Sequence, residues 1–233
     1  MRKFLVVLLI FFAVVVVVAD IAARSFAQST IADQSAQHLG MSEEPEVSIE
    51  GWAFLPQAFG GTYSEININS DSATVDGHTF EQIDASARDV DAPLSELFSQ
   101  PEVVAGELDG SAVVPYSFLN SQLPEGITIT TGDDDEPRIN GELAIPEMNI
   151  STTVSSGAEF SVEGDTLHVT PVAVEIGDAP SGMSDTVAQM LAFSVQVPEL
   201  PFGLQITDLE AASGGLRISG TGEDVPLMGS EAA

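Results

Sequence analysis

The hydrophobic pattern of the chain begins with an uninterrupted apolar run. Phe4–Ala19 contains no polar side chain, and the basic pair Arg2-Lys3 precedes it. This order is typical of a cleaved signal peptide or of an uncleaved membrane anchor. Ala22 and Ala23 offer small residues for cleavage, but they also lie where they could lengthen a spanning helix. Residues 1–23 are therefore predicted to be a signal peptide or a membrane anchor, and either one places the rest of the chain outside the cytoplasm.

The next segment, residues 20–40, has apolar side chains near helical spacing. We predict one helix here, ended by Gly40 as a C-terminal cap. The predicted apolar stripe contains Ile21, Phe26, Ile31, Ala36 and Leu39, together with Ala22, Ala27 and Ala32. The polar face carries Gln, Ser and Asp rather than Lys and Arg, which favours packing against a core over lying on a membrane surface.

From Glu46 onward, apolar positions alternate with polar ones, and turn residues separate the alternating segments. This pattern is typical of an antiparallel sheet with one face in water. The predicted strands cover residues 46–49, 63–69, 73–75, 80–85, 102–114, 127–131, 138–145, 148–154, 158–162, 167–174, 204–211 and 216–221.

Other segments interrupt this alternation. Short helices are predicted at 93–98 and 115–120, and a longer one at 180–193. Residues 51–56 form a bulky apolar cluster that ends at Pro56, and residues 195–204 form an apolar loop that is broken by prolines.

A long antiparallel sheet with helices at each end is an α+β layout. Hydrophobic residues make up 44% of the 233-residue chain, which is enough for a core despite the acidity. We predict one domain over residues 24–228 and a flexible tail at 229–233. The chain has more apolar inward positions than one thin sheet needs, and such a surplus is commonly a ligand cavity.

The net charge of −30 restricts the possible partners. Nucleic acid is excluded, because binding to it depends on Lys and Arg. Attraction to anionic headgroups is disfavoured for the same reason, so a lipid would be held through its acyl chains. Four arginines after the basic start could still contact a phosphate, although each is expected to pair with nearby carboxylates instead. They are Arg24, Arg88, Arg138 and Arg217.

No residue pattern indicates catalysis or a cofactor. The chain has no Cys, and no Gly-x-Ser-x-Gly motif accompanies His38, His78 and His168. The acidic run Asp133–Glu136 lacks the spacing of a calcium loop and is expected to be a hairpin tip. We therefore predict no catalytic residues, no metal site and no cofactor.

Several short motifs follow one another in a recognisable order. They are Ala22–Ala27, Ile31–Gln34, Leu39-Gly40, Gly51–Gln57, Gly60–Tyr63, Ile66–Ile68, Val114–Tyr116, Leu200–Leu204 and Ile218–Leu227. In this order and spacing the chain resembles the LmeA-like phospholipid-binding family of actinobacterial cell-envelope proteins, over nearly its whole length after the leader.

The resemblance implies a non-enzymatic lipid-binding domain on the outer face of the plasma membrane. It also implies the architecture of tubular lipid-binding proteins, the class of bactericidal/permeability-increasing protein. In that class, a long curved antiparallel sheet wraps around helices, here the N-terminal helix and the one in the C-terminal half, to form an apolar groove. The expected role is to shelter phospholipid or glycolipid acyl chains and so support envelope lipid or lipoglycan metabolism or transport.

The apolar segments supply the candidate lipid contacts. The clusters around Trp52 and in Val195–Leu204 could each be core or the rim of an apolar opening, and the second could also dock on a membrane. The predicted contacts are Phe26, Trp52, Phe54, Leu55, Phe59, Val197, Leu200, Phe202 and Leu204. The alternatives are a non-lipid structural or interaction module of the envelope and, less favoured, an envelope hydrolase, while the oligomeric state stays open.

Overall fold

A single long helix, α1 (Arg2–His38), dominates the N-terminal part of the molecule. It joins the apolar run to the predicted helix without a break, because no Gly or Pro interrupts these 37 residues. The computed structural model describes residues 2–38, 41, 43–75, 78–93, 103–121, 123, 126–132, 136–145, 150–164, 166–177, 184–196 and 200–228. The apolar half of α1 is exposed and is long and apolar enough to cross a membrane, with a mean hydropathy of 3.2.

The buried face of α1 overlaps the predicted stripe in part. Ala27 and Ile31, with their neighbour Ala23, pack against a buried cluster and Ala32 is buried, whereas Ile21 and Phe26 are exposed. The predicted stripe was therefore wrong at Ile21 and Phe26. Leu39 and Gly40 lie outside the described residues.

The described strands form two antiparallel sheets. The first sheet has the order β1-β2-β3-β4-β11-β10, and the second has the order β5-β6-β7-β8-β9. The strands of the first sheet are β1 (Glu46–Ile49), β2 (Thr62–Val75), β3 (His78–Asp91), β4 (Val103–Pro115), β10 (Gln205–Ala212) and β11 (Gly215–Met228). Those of the second are β5 (Ile127–Thr131), β6 (Pro137–Ile145), β7 (Ile150–Glu163), β8 (Thr166–Ile176) and β9 (Phe193–Gln196). One sheet is curled into half a barrel, and the predicted α+β class is confirmed.

Three short helices accompany α1 in the described part of the chain. They are α2 (Phe54–Gly60), α3 (Tyr116–Asn120) and α4 (Ser184–Leu191). The second half of the apolar cluster at 51–56 begins α2, and Pro56 is its third residue, in the first turn, where a missing N–H breaks no helical bond. The proline-broken loop was wrong at Val195, which pairs with Leu167 in the second sheet. Most of the helix predicted at 93–98 lies outside the described residues.

The strand break predicted at 155–157 is absent, because β7 continues through these residues. The register between β7 and β8 does shift here, and the extra residue lies on β8, where Ala173 has a φ of 51°. A similar shift lies between Glu81 and Asp84 in β3, where Gln82 has a φ of 48°. Both shifts are bulges, which bend a strand rather than end it.

Each sheet has its own buried cluster. The first core consists of Ile49, Phe54, Ala58, Tyr63, Ala87, Val90, Ala92, Ala105, Leu108 and Val225. The second core consists of Tyr116, Leu119, Ile127, Ile129, Ile139, Val154, Ala158, Leu167, Val169, Val187, Leu191 and Leu216. Because Leu216 lies on β11, the first sheet also contributes to the second core. The connection through α3 therefore joins two packed bodies.

Candidate lipid and membrane contact site

The junction between α1 and α2 is fixed by side chains of α1. The N–H of Phe54 donates to Oδ2 of Asp20 at 3.0 Å, and the N–H of Leu55 donates to Oδ1 at 2.7 Å. The N-cap residue Ala53 has no side-chain acceptor, so the carboxylate from α1 satisfies donors that a helix leaves unpaired at its start. One turn further along α1, Nη2 of Arg24 donates to the carbonyl oxygen of Gly51 at 2.9 Å. Both ends of residues 51–55 are thereby held against α1.

The inward face of α2 belongs to the first core. Phe54 and Ala58 are buried, and the Phe54 ring lies 6.0 Å from the ring of Tyr63. Gly61 ends the helix with a φ of 80°, and its N–H donates to the carbonyl oxygen of Gln57 at 2.7 Å. The Gln57 side chain also accepts a bond from the Ser64 N–H at 2.8 Å. These bonds fix the orientation of α2 about its own axis, and this orientation determines which of its side chains face the solvent.

The outward face of this segment is aromatic. Trp52 is 90% exposed, Phe59 is 83% exposed and, on α1, Phe26 is 75% exposed. The sequence left open whether the Trp52 cluster is core or rim. In the structure its members differ, because Phe54 is in the core and Trp52 is at the surface. Leu55 is partly buried against the first core. These three exposed rings are therefore the surface candidates among the predicted contacts of this segment.

The predicted lipid contacts in the 200–204 segment, which precedes β10, lie against strand β11 of the first sheet. A Cβ atom placed on Gly220 would lie 2.8 Å from Cδ1 of Leu200, and one on Gly222 would lie 3.0 Å from Cδ2 of Leu204. Glycines in β11 therefore make room for Leu200 and Leu204 against the sheet. Phe202, in the 3-10 turn Pro201–Gly203, is 45% exposed and has a φ of 63°. Val197 lies outside the described residues.

The predicted contacts thus fall into two groups. One group lies against the inner face of the first sheet: Phe54, Leu55 and Leu204 pack in or on the first core, and Leu200 lies over Gly220. On this face α1 contributes Ala23, Ala27 and Ile31, and the sheet contributes the partly buried Ile66, Val103 and Leu227. The second group is outward-facing and consists of Phe26, Trp52, Phe59 and Phe202. The alternation Gly220-Thr221-Gly222 is the sequence signal that could have indicated the close approach of Leu200 and Leu204.

Sequence reasoning missed three buried hydroxyl groups around the second core. Tyr116 Oη, Thr152 Oγ1 and Ser156 Oγ have no hydrogen-bond partner within the described structure. Ser156 is fully buried, Tyr116 and Thr152 nearly so, and burial raises the pKa of the Tyr116 phenol. Thr152 and Ser156 share the buried face of β7 with Val154, and this alternation is the signal that was available. Such groups normally find a partner, so they are candidate contacts for polar atoms of a ligand.

The arginines bind the protein's own acceptors. Nη1 of Arg88 lies 3.1 Å from a carboxylate oxygen of Glu107 and 2.8 Å from one of Asp109. The hydrogen bond to Glu107 is the largest cause that raises the pKa of Arg88, and the charges of both carboxylates add to it. Arg217 lies 3.6 Å from Asp84 and donates to Gln82. Arg138 donates to Ser155 Oγ, and Arg24 donates to a carbonyl as described. Arg88 and Arg217 thus pair with carboxylates as expected, whereas the described acceptors of Arg24 and Arg138 are uncharged.

One histidine has a hydroxyl neighbour. Nδ1 of His168 lies 2.8 Å from Oγ of Ser194, as the register between β8 and β9 places these residues opposite each other. Ser194 is exposed to solvent on the edge strand. In the described ranges, no group of three His, Asp or Glu side chains is arranged to hold a metal ion.

The fold and these surfaces define a class: an α+β protein in which two antiparallel sheets pack on helices and a long apolar helix leads into the first core. The chain belongs to the LmeA-like phospholipid-binding family, whose model matches residues 18–221. That match covers the second half of α1, α2 and the strands from β1 to the first half of β11, so the family is shown for nearly all of the chain after the apolar run. No curated protein and no solved structure matches the chain closely enough to add to this assignment.

Proposed function

We propose that this protein is an extracytoplasmic phospholipid-binding protein that shelters acyl chains in an apolar groove. It acts at the outer face of the plasma membrane and supports envelope lipid or lipoglycan metabolism or transport. The observation that carries this proposal is the match of residues 18–221 to a family described by phospholipid binding. Since that description names binding and no reaction, we further propose that the protein is not an enzyme.

The proposed groove lies on the inner face of the first sheet, between α1 and the 200–204 segment. Ile66, Val103 and Leu227 are partly buried there, so they offer apolar surface that the protein covers only in part. Burying one methylene contributes about 0.8 kcal/mol, so ten methylenes supply about 8 kcal/mol before the costs of binding. Acyl burial therefore reaches useful affinity without an ion pair, which suits a chain with a net charge of −30.

We propose that α1 stays attached as a membrane anchor. Asp20 caps α2, and Ala23, Ala27 and Ile31 pack on the first core. Cleavage after Ala23 would remove Asp20 and leave two N–H groups of α2 unpaired. Because Arg2-Lys3 precedes the apolar run, the N-terminus is proposed to face the cytoplasm and the domain to face outward.

Native mass spectrometry of the full chain, extracted in mild detergent, tests lipid binding. We expect mass increments that correspond to bound phospholipid. Leu204→Ser should reduce them, because Leu204 borders the proposed groove, whereas Leu209→Ser is a matched control that alters a partly buried leucine packed on the second core. Lipid loss in Leu209→Ser alone would move the site to the second core, where the unpaired hydroxyls lie.

Three other outcomes separate the alternatives. Protein without lipid in several detergents would contradict the proposal and favour a non-lipid interaction module. Release of fatty acid from added phospholipid, abolished by Ser194→Ala, would favour a hydrolase that uses the Ser194–His168 pair. An N-terminal sequence that begins after residue 19 would contradict the anchor but leave lipid binding intact.

A further inference from the structure

The hydrogen bonds of α1 set the height of α2 relative to a membrane. The apolar run ends at Ala19, and the two residues that hold α2 and Gly51 are Asp20 and Arg24. At about 1.5 Å per helical residue, these points lie within about 8 Å of the end of the run. The polar headgroup layer of one leaflet is about 5–8 Å thick. If α1 spans the bilayer as proposed above, the start of α2 therefore lies at headgroup depth.

The side chains exposed at this depth are those suited to an interface. Trp52 directly follows Gly51, which Arg24 binds, and lies two residues before α2, whereas Phe59 is the last residue but one of α2. Both rings are more than four-fifths exposed, although Phe54 and Ala58 on the other face of α2 are buried. Trp is enriched at membrane–water boundaries because its ring is apolar and its N–H can still bond to water or headgroups.

We propose that the exposed aromatic face of residues 52–59 is an interfacial anchor that inserts into the outer leaflet of the membrane spanned by α1. The surface it fits is a zwitterionic phospholipid layer, because the acidic domain repels anionic headgroups and the sequence has Arg24 as its one cation between Lys3 and Arg88. With α1 as one attachment and this face as a second, the domain is held at a fixed tilt. Asp20 and Arg24 are positioning residues for the anchor, since they act through α2.

Trp52 is the single tryptophan of the chain, so its emission reports its own depth. The full chain is reconstituted into phosphatidylcholine vesicles that contain lipid brominated either near the carbonyl region or near the chain ends. We expect blue-shifted emission, strong quenching by the shallow bromines, weaker quenching by the deep ones and protection from aqueous iodide. Emission that iodide quenches as fully as it quenches free tryptophan, in protein with an intact N-terminus, would overturn the proposal.

Variants separate the anchor from the span. Asp20→Ala removes the bonds to Phe54 and Leu55, so shallow-bromine quenching should fall and iodide quenching should rise. Asp33→Ala, an exposed acid-to-alanine change on the same helix, should leave both unchanged. Identical quenching in the two variants would show that Asp20 does not position Trp52.

A second variant covers the case in which Asp20→Ala does not fold. Phe59→Ser changes an 83% exposed ring and should leave the cores intact, but it should shift the Trp52 emission towards the red. This inference rests on the proposed anchor but not on the proposed groove. Lipid retention in mass spectrometry with an iodide-accessible Trp52 would refute the interfacial anchor alone, while a protected Trp52 in protein without bound lipid would refute the groove alone.

Discussion

The two cores are closed by helices of different origin. The first core is covered by α1, a helix whose other half is apolar and exposed, whereas the second is covered by α4, which the chain forms locally between β8 and β9. In α4 the residues that face inward are Val187 and Leu191, both buried. The second core is therefore completed by its own segment, and the first depends on a helix that also belongs to the proposed membrane anchor.

The interiors also differ in polarity. The first core consists of aliphatic and aromatic residues, whereas three buried hydroxyls without a described partner surround the second. A core covered by α1 can be opened by a movement of α1, whereas the core covered by α4 is closed by a helix formed locally in the chain. This contrast favours the first sheet as the place of the proposed groove.

Matched deletions in the two cores should have the largest effect on stability. Ile49 in the first core and Ile139 in the second are both almost fully buried. Ile→Ala at either position should cost about 2–5 kcal/mol, because the lost burial and the remaining cavity add together. Denaturant unfolding of each variant in the same detergent measures this cost.

Hydrogen exchange then tests whether the two cores are separable. With Ile49→Ala, faster amide exchange should concentrate in β1–β4, and with Ile139→Ala it should concentrate in β5–β9. If either variant accelerated exchange equally in both sheets, the molecule would unfold as one unit, and the contrast between the cores would have no energetic meaning.

A smaller loss is expected from crowding the 200–204 segment. Gly220→Ala places a methyl group 2.8 Å from Leu200 Cδ1 and 3.0 Å from the carbonyl oxygen of Gln205, so the segment must shift. Overpacking of this kind costs about 1–3 kcal/mol. The shift in the midpoint of denaturant unfolding measures it, and weaker lipid retention should accompany it if Leu200 and Leu204 border the groove.

Gly60→Ala is the matched control for that change. Gly60 is the last residue of α2, and a Cβ there meets no atom within 4 Å. The substitution should be neutral or stabilise the protein by up to about 1 kcal/mol, because alanine loses less backbone entropy. Equal destabilisation by the two alanines would show that a glycine effect, rather than contact with Leu200, determines the cost at Gly220.

The regular elements were predictable because their patterns are local. Residues 127–131 were predicted as a strand from alternation alone, and β5 covers these residues. The helix expected at 115–120 is present as α3, with Pro115 as its N-cap. Breaks were harder to predict, because Ser155–Gly157 resembles a strand end but lies inside the continuous strand β7.

The candidate site was predictable in composition and not in arrangement. Alternation and hydropathy identified Trp52, Phe54 and Phe59 as apolar candidates, but they contain no signal for which ring points outward. That choice depends on Asp20, which caps α2 from 34 and 35 positions away in the sequence. Contacts this distant follow from the packing of α1 on the first core, and residue periodicity does not encode them.

The smallest expected effect tests the polar interior of the second core. Thr152→Val replaces a buried hydroxyl that has no described partner with a methyl group, so it should stabilise delipidated protein by about 1–2 kcal/mol. Thr153→Val, on the exposed face of the same strand, should change stability by less than about 0.5 kcal/mol. Thermal unfolding of both variants, stripped of lipid and reloaded with phosphatidylcholine, measures the difference. A gain for Thr152→Val that persists after reloading would mean that the hydroxyl does not contact lipid. A gain that disappears on reloading would place polar atoms of the lipid beside β7 and contradict the assignment of binding to the first sheet alone.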